Sequence, residues 1–161
     1  MQMIKGNRMA IDRSSWCVMA VLVLSSCATG RTDESMEIHV SLLVDSATRS
    51  PRSQMKAMEA LEHMGEPAVP YIVAHLGDMR PVASRTIAFA NTSPQSFEAF
   101  RHYKSETVHD ALSALLNQMT GQGFESVSNG ATSAQRLQNV RKWVRWCKQA
   151  YPDHAKHCEG G

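Results

Sequence analysis

Apolar residues recur at every third or fourth position over much of the chain beyond residue 33, and this spacing predicts helices. The clearest apolar face consists of Val108, Ala111, Leu112, Leu115 and Met119. Similar faces predict helices over residues 34–45, 51–64, 66–76 and 132–150. The pattern therefore indicates a mainly α fold, which we expect to be a compact helical bundle.

Residues that favour helix ends mark the boundaries of these segments. Ser50 and Pro51 predict a helix start, because serine caps free amides and proline fits the first helical position. Ser105 is the predicted cap of the fourth helix. Thr132 followed by Gln135 matches a capping box, which predicts that the last helix begins there.

Two short segments alternate between apolar and polar residues instead of following a helical period. They are Arg85–Ala90 and Gly123–Ser128, and a turn-forming sequence follows each of them. We predict that the two segments pair as a small two-stranded β-ribbon beside the helices.

Residues 51–78 combine an apolar helix, a break at Gly65 and a second helix that opens with Ala68-Val69-Pro70. This arrangement resembles a HEAT-type repeat, in which two such helices pack as an antiparallel pair. A solenoid needs several copies, and no second copy follows at a fixed period. The resemblance therefore implies one HEAT-like hairpin within the bundle, and a role in the surface recognition of another protein.

Residues 1–26 have the pattern of an export signal. Lys5, Arg8 and Arg13 precede an uninterrupted apolar run, Trp16–Leu24, and small residues follow. These features are typical of a secretory signal peptide, and Met9 is an alternative start of the same signal. The run is shorter than the roughly 20 residues that a membrane-spanning helix needs, so we expect no transmembrane helix here.

The end of the apolar run adds a more specific signal. Leu24-Ser25-Ser26-Cys27 resembles the lipobox of bacterial lipoproteins. The resemblance implies that residues 1–26 are removed and that Cys27 carries acyl chains such as palmitate, which anchor the protein to a membrane. In enteric-type sorting, Ala28 in place of an aspartate implies the outer membrane.

Removal of the signal would leave a lipidated tether over residues 27–33 and a helical domain over residues 34–161, facing the periplasm. The chain has 17 basic and 15 acidic residues. Three of the basic residues and one of the acidic residues lie in the signal, so the mature chain has 14 of each. A neutral chain argues against a nucleic-acid-binding protein, which needs a basic surface. It also argues against electrostatic attachment to anionic lipid.

Two cysteines remain after the signal and the anchor are set aside, Cys147 and Cys158. Export places them in an oxidising compartment, and the chain can turn back at Pro152, so we predict a disulfide between them. His154 and His157 would complete a set of zinc-binding residue types. The spacing of the four matches no common zinc module, and we therefore expect neither a metal nor another cofactor.

No arrangement of residues in the sequence indicates catalysis. Ser53 and Lys56 match the Ser-x-x-Lys motif of penicillin-recognising enzymes, but the partner motifs of these enzymes are absent. His102, His109 and Asp110 are residue types used in acid–base catalysis, yet no phosphate-binding loop or nucleophile elbow accompanies them. We therefore predict a non-catalytic protein, with a small periplasmic hydrolase as the weaker alternative.

The last predicted helix carries a candidate binding surface. A helical projection predicts a buried stripe made of Leu137, Val140, Val144, Cys147 and Tyr151, with Trp143 at its edge. Trp146 falls well outside this stripe, and exposed tryptophan is typical of interface hot spots. We predict that Trp146, Arg141 and Arg145 contact a protein partner. The alternative is that residues 152–161 fold back and cover the indole ring.

Together these features predict an outer-membrane lipoprotein whose helical domain binds another protein. A narrower alternative is an immunity lipoprotein that neutralises a periplasmic toxin. Small size, lipidation and the lack of a catalytic motif fit that class as well.

Overall fold

The computed structural model describes residues 32–91, 97–124 and 130–160. The chain divides into two units, Met1–Ser35 and Met36–Gly161. In the first unit, the described residues 32–35 are helical. All elements discussed below belong to the second unit.

The second unit is mainly helical, as the apolar pattern predicts, and its described residues include a two-stranded antiparallel sheet. The α-helices are α1 over residues 36–46, α2 over Pro51–Met64, α3 over Val69–Ala74, α4 over Val108–Thr120 and α5 over Ser133–Ala150. The strands are β1, Thr86–Ala90, and β2, Phe100–Lys104. Turns of 3-10 helix flank α3 at Glu66–Ala68 and His75–Gly77, and a C-terminal 3-10 segment covers Pro152–Cys158.

Helix α4 is deeply buried over most of its length. Nine consecutive residues, from Val108 to Leu116, are buried, whereas a surface helix buries only one face. The helix packs against α2, α3 and both strands of the ribbon. Any polar side chain in this part of α4 must therefore find its hydrogen-bond partner inside the protein.

Asp110 in the first turn of α4 is paired with Arg136 of α5 inside the protein. Two guanidinium nitrogens of Arg136 lie 2.9 and 3.0 Å from the carboxylate oxygens of Asp110. The same group donates to the Ala131 carbonyl oxygen at 2.8 Å and to Glu106 at 3.0 Å. Burial alone would raise the pKa of Asp110, but the bonds from Arg136 and from two backbone amides outweigh it and hold that pKa below its ordinary value.

The inward face of α5 differs from the predicted stripe. The buried residues of this helix are Arg136, Asn139, Trp143 and Cys147, whereas Leu137 is 49% exposed. Polar residues can turn inward because they have partners there: the Ser113 hydroxyl donates to Asn139 at 3.2 Å and accepts from the indole of Trp143 at 3.3 Å. The predicted burial of Leu137 is therefore wrong, while the inward positions of Cys147 and Trp143 are confirmed, and Val140, Val144 and Tyr151 pack partly buried against the core.

The predicted caps of α2 and α5 are confirmed, but Ser105 is not the cap of α4. The helix begins after Thr107, whose hydroxyl accepts from the Asp110 amide while the Asp110 carboxylate accepts from the Thr107 amide. Ser105 instead continues the pairing of β2, because its amide donates to the Arg85 carbonyl oxygen at 2.7 Å. Because Ser105 still pairs with β1, the cap of α4 lies two residues later than predicted, at Thr107.

The predicted strand Arg85–Ala90 is confirmed as β1, within one residue, and among the described residues its partner is β2 rather than the predicted segment 123–128. β1 pairs with β2, in an antiparallel register that sets Ala88 opposite His102. A strand so near in sequence closes a shorter loop, and so loses less chain entropy, than the predicted partner over residues 123–128. Residues 125–129 lie outside the described part of the chain.

His109 is buried next to Asp110 in the first turn of α4. Its Nδ1 lies 2.7 Å from the Leu76 carbonyl oxygen, so Nδ1 carries the proton and donates it. Its Nε2 is buried without a hydrogen-bond partner among the described residues. Burial lowers the pKa of His109 below its ordinary value, because a second proton on Nε2 would place a positive charge in the protein interior.

Arg136→Ala should destabilise the protein strongly, because it leaves the Asp110 carboxylate buried without its partner. Removal of one member of a buried ion pair costs about 3–5 kcal/mol in the free energy of unfolding, which urea denaturation measures. Arg141→Ala, on the exposed face of the same helix, is the matched control and should leave that free energy nearly unchanged. Equally small losses in the two variants would contradict the role of the pair.

His109 should make the protein less stable as the pH falls. Its pKa is lower in the folded than in the unfolded chain, so the unfolded state binds the proton first and is favoured as the pH drops from about 7.5 to about 5.5. His109→Asn keeps a donor for the Leu76 carbonyl but does not titrate, and should flatten the slope of unfolding free energy against pH. His75, whose pKa burial also lowers, is present in both proteins. Identical slopes would therefore show that His109 does not contribute.

Candidate protein-binding groove

A groove runs between α2 and β1 and forms a cavity of about 610 Å³. This volume lies in the range typical of ligand-binding pockets, roughly 300–1,000 Å³. Met55 and Met58 of α2 and Phe100 of β2 line it with apolar surface. Met55 is 63% exposed and Phe100 55%, so the groove leaves large apolar side chains open to solvent.

Gln54 sets the spacing between α2 and the start of β1. Its buried side chain donates from Nε2 to the Ser84 carbonyl oxygen at 2.9 Å, and its Oε1 accepts from the Ser84 amide at 2.6 Å. Both polar groups of the amide are therefore used to hold the chain that leads into β1. This pair of bonds fixes one end of the groove.

The rim of the groove on α2 is acidic. Glu59 and Glu62 line the cavity together with Met55, and the spacing of the three places them along one side of the helix. His63 and His102 also line it, and the Nδ1 of His63 donates to the Glu59 carbonyl oxygen at 2.8 Å. The described lining residues include no lysine or arginine. The groove therefore combines an apolar floor with negative charge.

The edge of β1 that faces away from β2 lies on this groove. The Ser105 amide donates to the Arg85 carbonyl oxygen, and the register is regular, so odd-numbered residues of β1 direct their amide and carbonyl groups towards β2. The even-numbered residues Thr86, Ala88 and Ala90 direct theirs outward. All three have exposed side chains and line the cavity.

Side chains bond to the backbone at the two ends of this edge, whereas no described residue bonds to the backbone in its middle. The Ser84 hydroxyl donates to the Thr86 carbonyl oxygen at 3.2 Å and accepts from the Thr86 amide at 3.4 Å. Gln118 of α4 donates to the Ala90 carbonyl oxygen at 2.7 Å. Among the described residues, no hydrogen bond reaches the amide or carbonyl of Ala88 or the amide of Ala90.

Trp146 is not the uncovered aromatic residue that the helical projection suggests. It is partly buried against the core, and its ring lies edge-on to the rings of Trp143, Tyr151 and Phe124, at 5.5, 5.8 and 6.4 Å. These three rings cover the indole of Trp146, whereas the sequence analysis expects a partner or the folded-back residues 152–161 to cover it. The two arginines beside it are exposed, as predicted, and binding of a partner by this face stays a prediction.

The predicted disulfide between Cys147 and Cys158 is present, and both residues are fully buried. Bonded sulfurs do not act as thiolate ligands, which removes two members of the zinc set considered from the sequence. The bond holds the C-terminal 3-10 segment against α5, and the segment also packs on α3. There the ring of His157 lies 4.7 Å from that of Tyr71.

The predicted acylation site, Cys27, lies outside the described residues, as does the signal over residues 1–26. Within the described part of the chain, no helix combines the length and the apolar character needed to cross a bilayer. The lipid anchor therefore stays a prediction.

Sequence reasoning missed the groove. Of the residues considered for catalysis, His102 alone lines it. The helical spacing of Met55, Glu59 and Glu62 is visible in the sequence, but it resembles any solvated helix face. The residue type of Ala88 gives no indication of a binding role. That role depends on its backbone amide and carbonyl, whose direction follows from the pairing of β1 with β2.

The chain matches no protein-family model, and no curated protein or solved structure shows significant similarity to it. The function must therefore be inferred from the sequence motifs and from the geometry of the groove.

Proposed function

We propose that this chain is a bacterial lipoprotein, acylated at Cys27 and held at the outer membrane, whose helical domain binds another protein through the groove between α2 and β1. The lipobox-like Leu24-Ser25-Ser26-Cys27, placed directly after the apolar run, supports the anchor. Ala28 supports the outer membrane as its location. The domain then faces the periplasm on the tether of residues 27–33.

The observation that carries the binding role is the composition of the groove. Exposed apolar side chains that adjoin open backbone groups are typical of surfaces that bind protein segments. The exposed side chain of Met55 is flexible and polarisable, so it can adapt to the shape of a partner. The acidic rim adds selectivity, because a partner must match it in charge.

The segment that resembles a HEAT-type repeat, residues 51–78, contributes α2 and hence one wall of the groove. The resemblance agrees with a role in surface recognition. We therefore propose a non-catalytic function for the domain, as the sequence predicts.

Site-specific photo-crosslinking of the full-length chain in cells tests the position of the binding surface. A photoreactive amino acid in place of Met55 should form protein crosslinks in high yield. The same amino acid in place of Leu137, an apolar and exposed position on α5, is the matched control and should form few. Crosslinks from Leu137 and none from Met55 would contradict the groove and place the binding surface on α5 instead.

The same cells test the anchor. Cys27→Ala should block acylation and leave a precursor that retains residues 1–26, because the lipobox cysteine is the residue that is modified before cleavage. Cys17→Ala, within the same signal but outside the lipobox-like sequence, should be processed normally. A Cys27→Ala chain with the mass and membrane association of the wild type would contradict the proposed anchor.

A further inference from the structure

The open edge of β1 is unusual because proteins commonly protect strand edges. An edge presents unpaired amide and carbonyl groups that can pair with another chain. Here Ser84 protects the Thr86 end and Gln118 protects the Ala90 carbonyl. Between these protected ends lie the backbone groups of Ala88 and the Ala90 amide, to which no described residue bonds, and both residues line the groove.

The dimensions of this edge suit an extended peptide. The five residues of β1 span about 17 Å at roughly 3.4 Å per residue. The small side chains of Ala88 and Ala90 leave space beside the strand, and the exposed Met55 lines the same groove from α2. A chain lying there would pair its backbone with Ala88 and direct alternate side chains towards α2.

We propose that the groove binds an extended segment of a partner protein, which adds a third strand to the ribbon at β1 and places a basic side chain near Glu59 and Glu62. This inference rests on the proposed protein-binding function and names its mode and ligand class. The backbone of Ala88 supplies affinity without regard to sequence, as in other cases of strand addition.

The side chains of the groove define which segments fit. Apolar residues at alternate positions would cover the exposed Met55, and a lysine or arginine between them would meet the two carboxylates. An acidic residue at that position would be repelled and would lose hydration without compensation. The groove therefore selects segments in which every second residue faces α2. One of these residues is basic and its neighbours on the same side are apolar, whereas the residues that face away are polar.

A synthetic peptide probes strand addition directly. The probe is fluorescein-labelled Val-Thr-Lys-Thr-Val with an amidated C-terminus, titrated with the purified full-length protein and followed by fluorescence anisotropy. Ala88→Pro removes an outward-facing amide but no hydrogen bond to β2, and should weaken binding about tenfold or more. Ala88→Thr keeps the amide and favours a strand, so its affinity should stay within about twofold of wild type.

Two controls distinguish strand addition from nonspecific binding of the peptide and from misfolding of the variant. A peptide N-methylated at both threonines loses donors for pairing and should bind about tenfold more weakly or not at all, although its side chains are unchanged. The folding of Ala88→Pro is checked by its thermal midpoint and by the amide protection of Ile87 and Phe89. If Ala88→Pro is folded and binds the peptide as well as wild type, strand addition is wrong.

A further pair of variants tests whether the groove prefers a basic residue at the centre of the peptide. Glu59→Gln combined with Glu62→Gln should reduce the preference for the lysine peptide over the same peptide with glutamate at the central position. Asp153→Asn removes an exposed carboxylate outside the groove and should leave the preference unchanged. Equal preference in all three proteins would contradict the basic ligand.

The outcomes also separate this inference from the function on which it rests. Crosslinks from Met55 in cells that persist in a folded Ala88→Pro variant would leave the protein-binding role intact but contradict strand addition. A concentration-dependent dimer that Ala88→Pro abolishes would assign the edge to a second copy of the chain, and would also contradict the proposed ligand.

Discussion

The buried ion pair between Asp110 and Arg136 determines how α5 lies against α4. Because most of α4 is buried, Asp110 must satisfy its carboxylate inside the protein, and it does so with Arg136 and with amides at the start of the helix. Such a pair need not stabilise a fold more than apolar residues of similar size would. We interpret its role as specificity, since it turns Arg136 rather than Leu137 inward, and Trp143 and Cys147 follow at the helical period.

The groove depends on the same buried helix. Its residue Gln118 reaches the Ala90 carbonyl, while Gln54 of α2 holds the chain before β1 through Ser84. Ile87 and Phe89 are buried on the inner face of the ribbon. The strand is therefore held at both ends by side chains of different helices and along one face by the core. Ala88, in its middle, has outward backbone groups to which no described residue bonds, in the extended conformation that a further strand requires.

Features that depend on neighbouring residues in the chain were predictable, and features that depend on distant partners were not. The helix that starts at Ser50 and the capping box at Thr132 rely on local hydrogen bonds, so the sequence predicts them correctly. Apolarity alone predicts the wrong orientation for the start of α5, because Arg136 turns inward to meet a carboxylate 26 positions away. Strand β1 was recognised but its partner was not. Its open edge was consequently invisible, because the direction of a backbone amide follows from the pairing and not from the residue type.

Amide hydrogen exchange of the free domain, measured residue by residue by NMR, tests the central claim most directly. The amides in the buried part of α4 should exchange only through global unfolding. The amides of Ala88 and Ala90 should exchange orders of magnitude faster than those of Ile87 and Phe89, which are bonded to β2. If Ala88 in the monomer is protected as well as Ile87, the edge is already occupied by the chain itself, and the groove is not an open site for a partner.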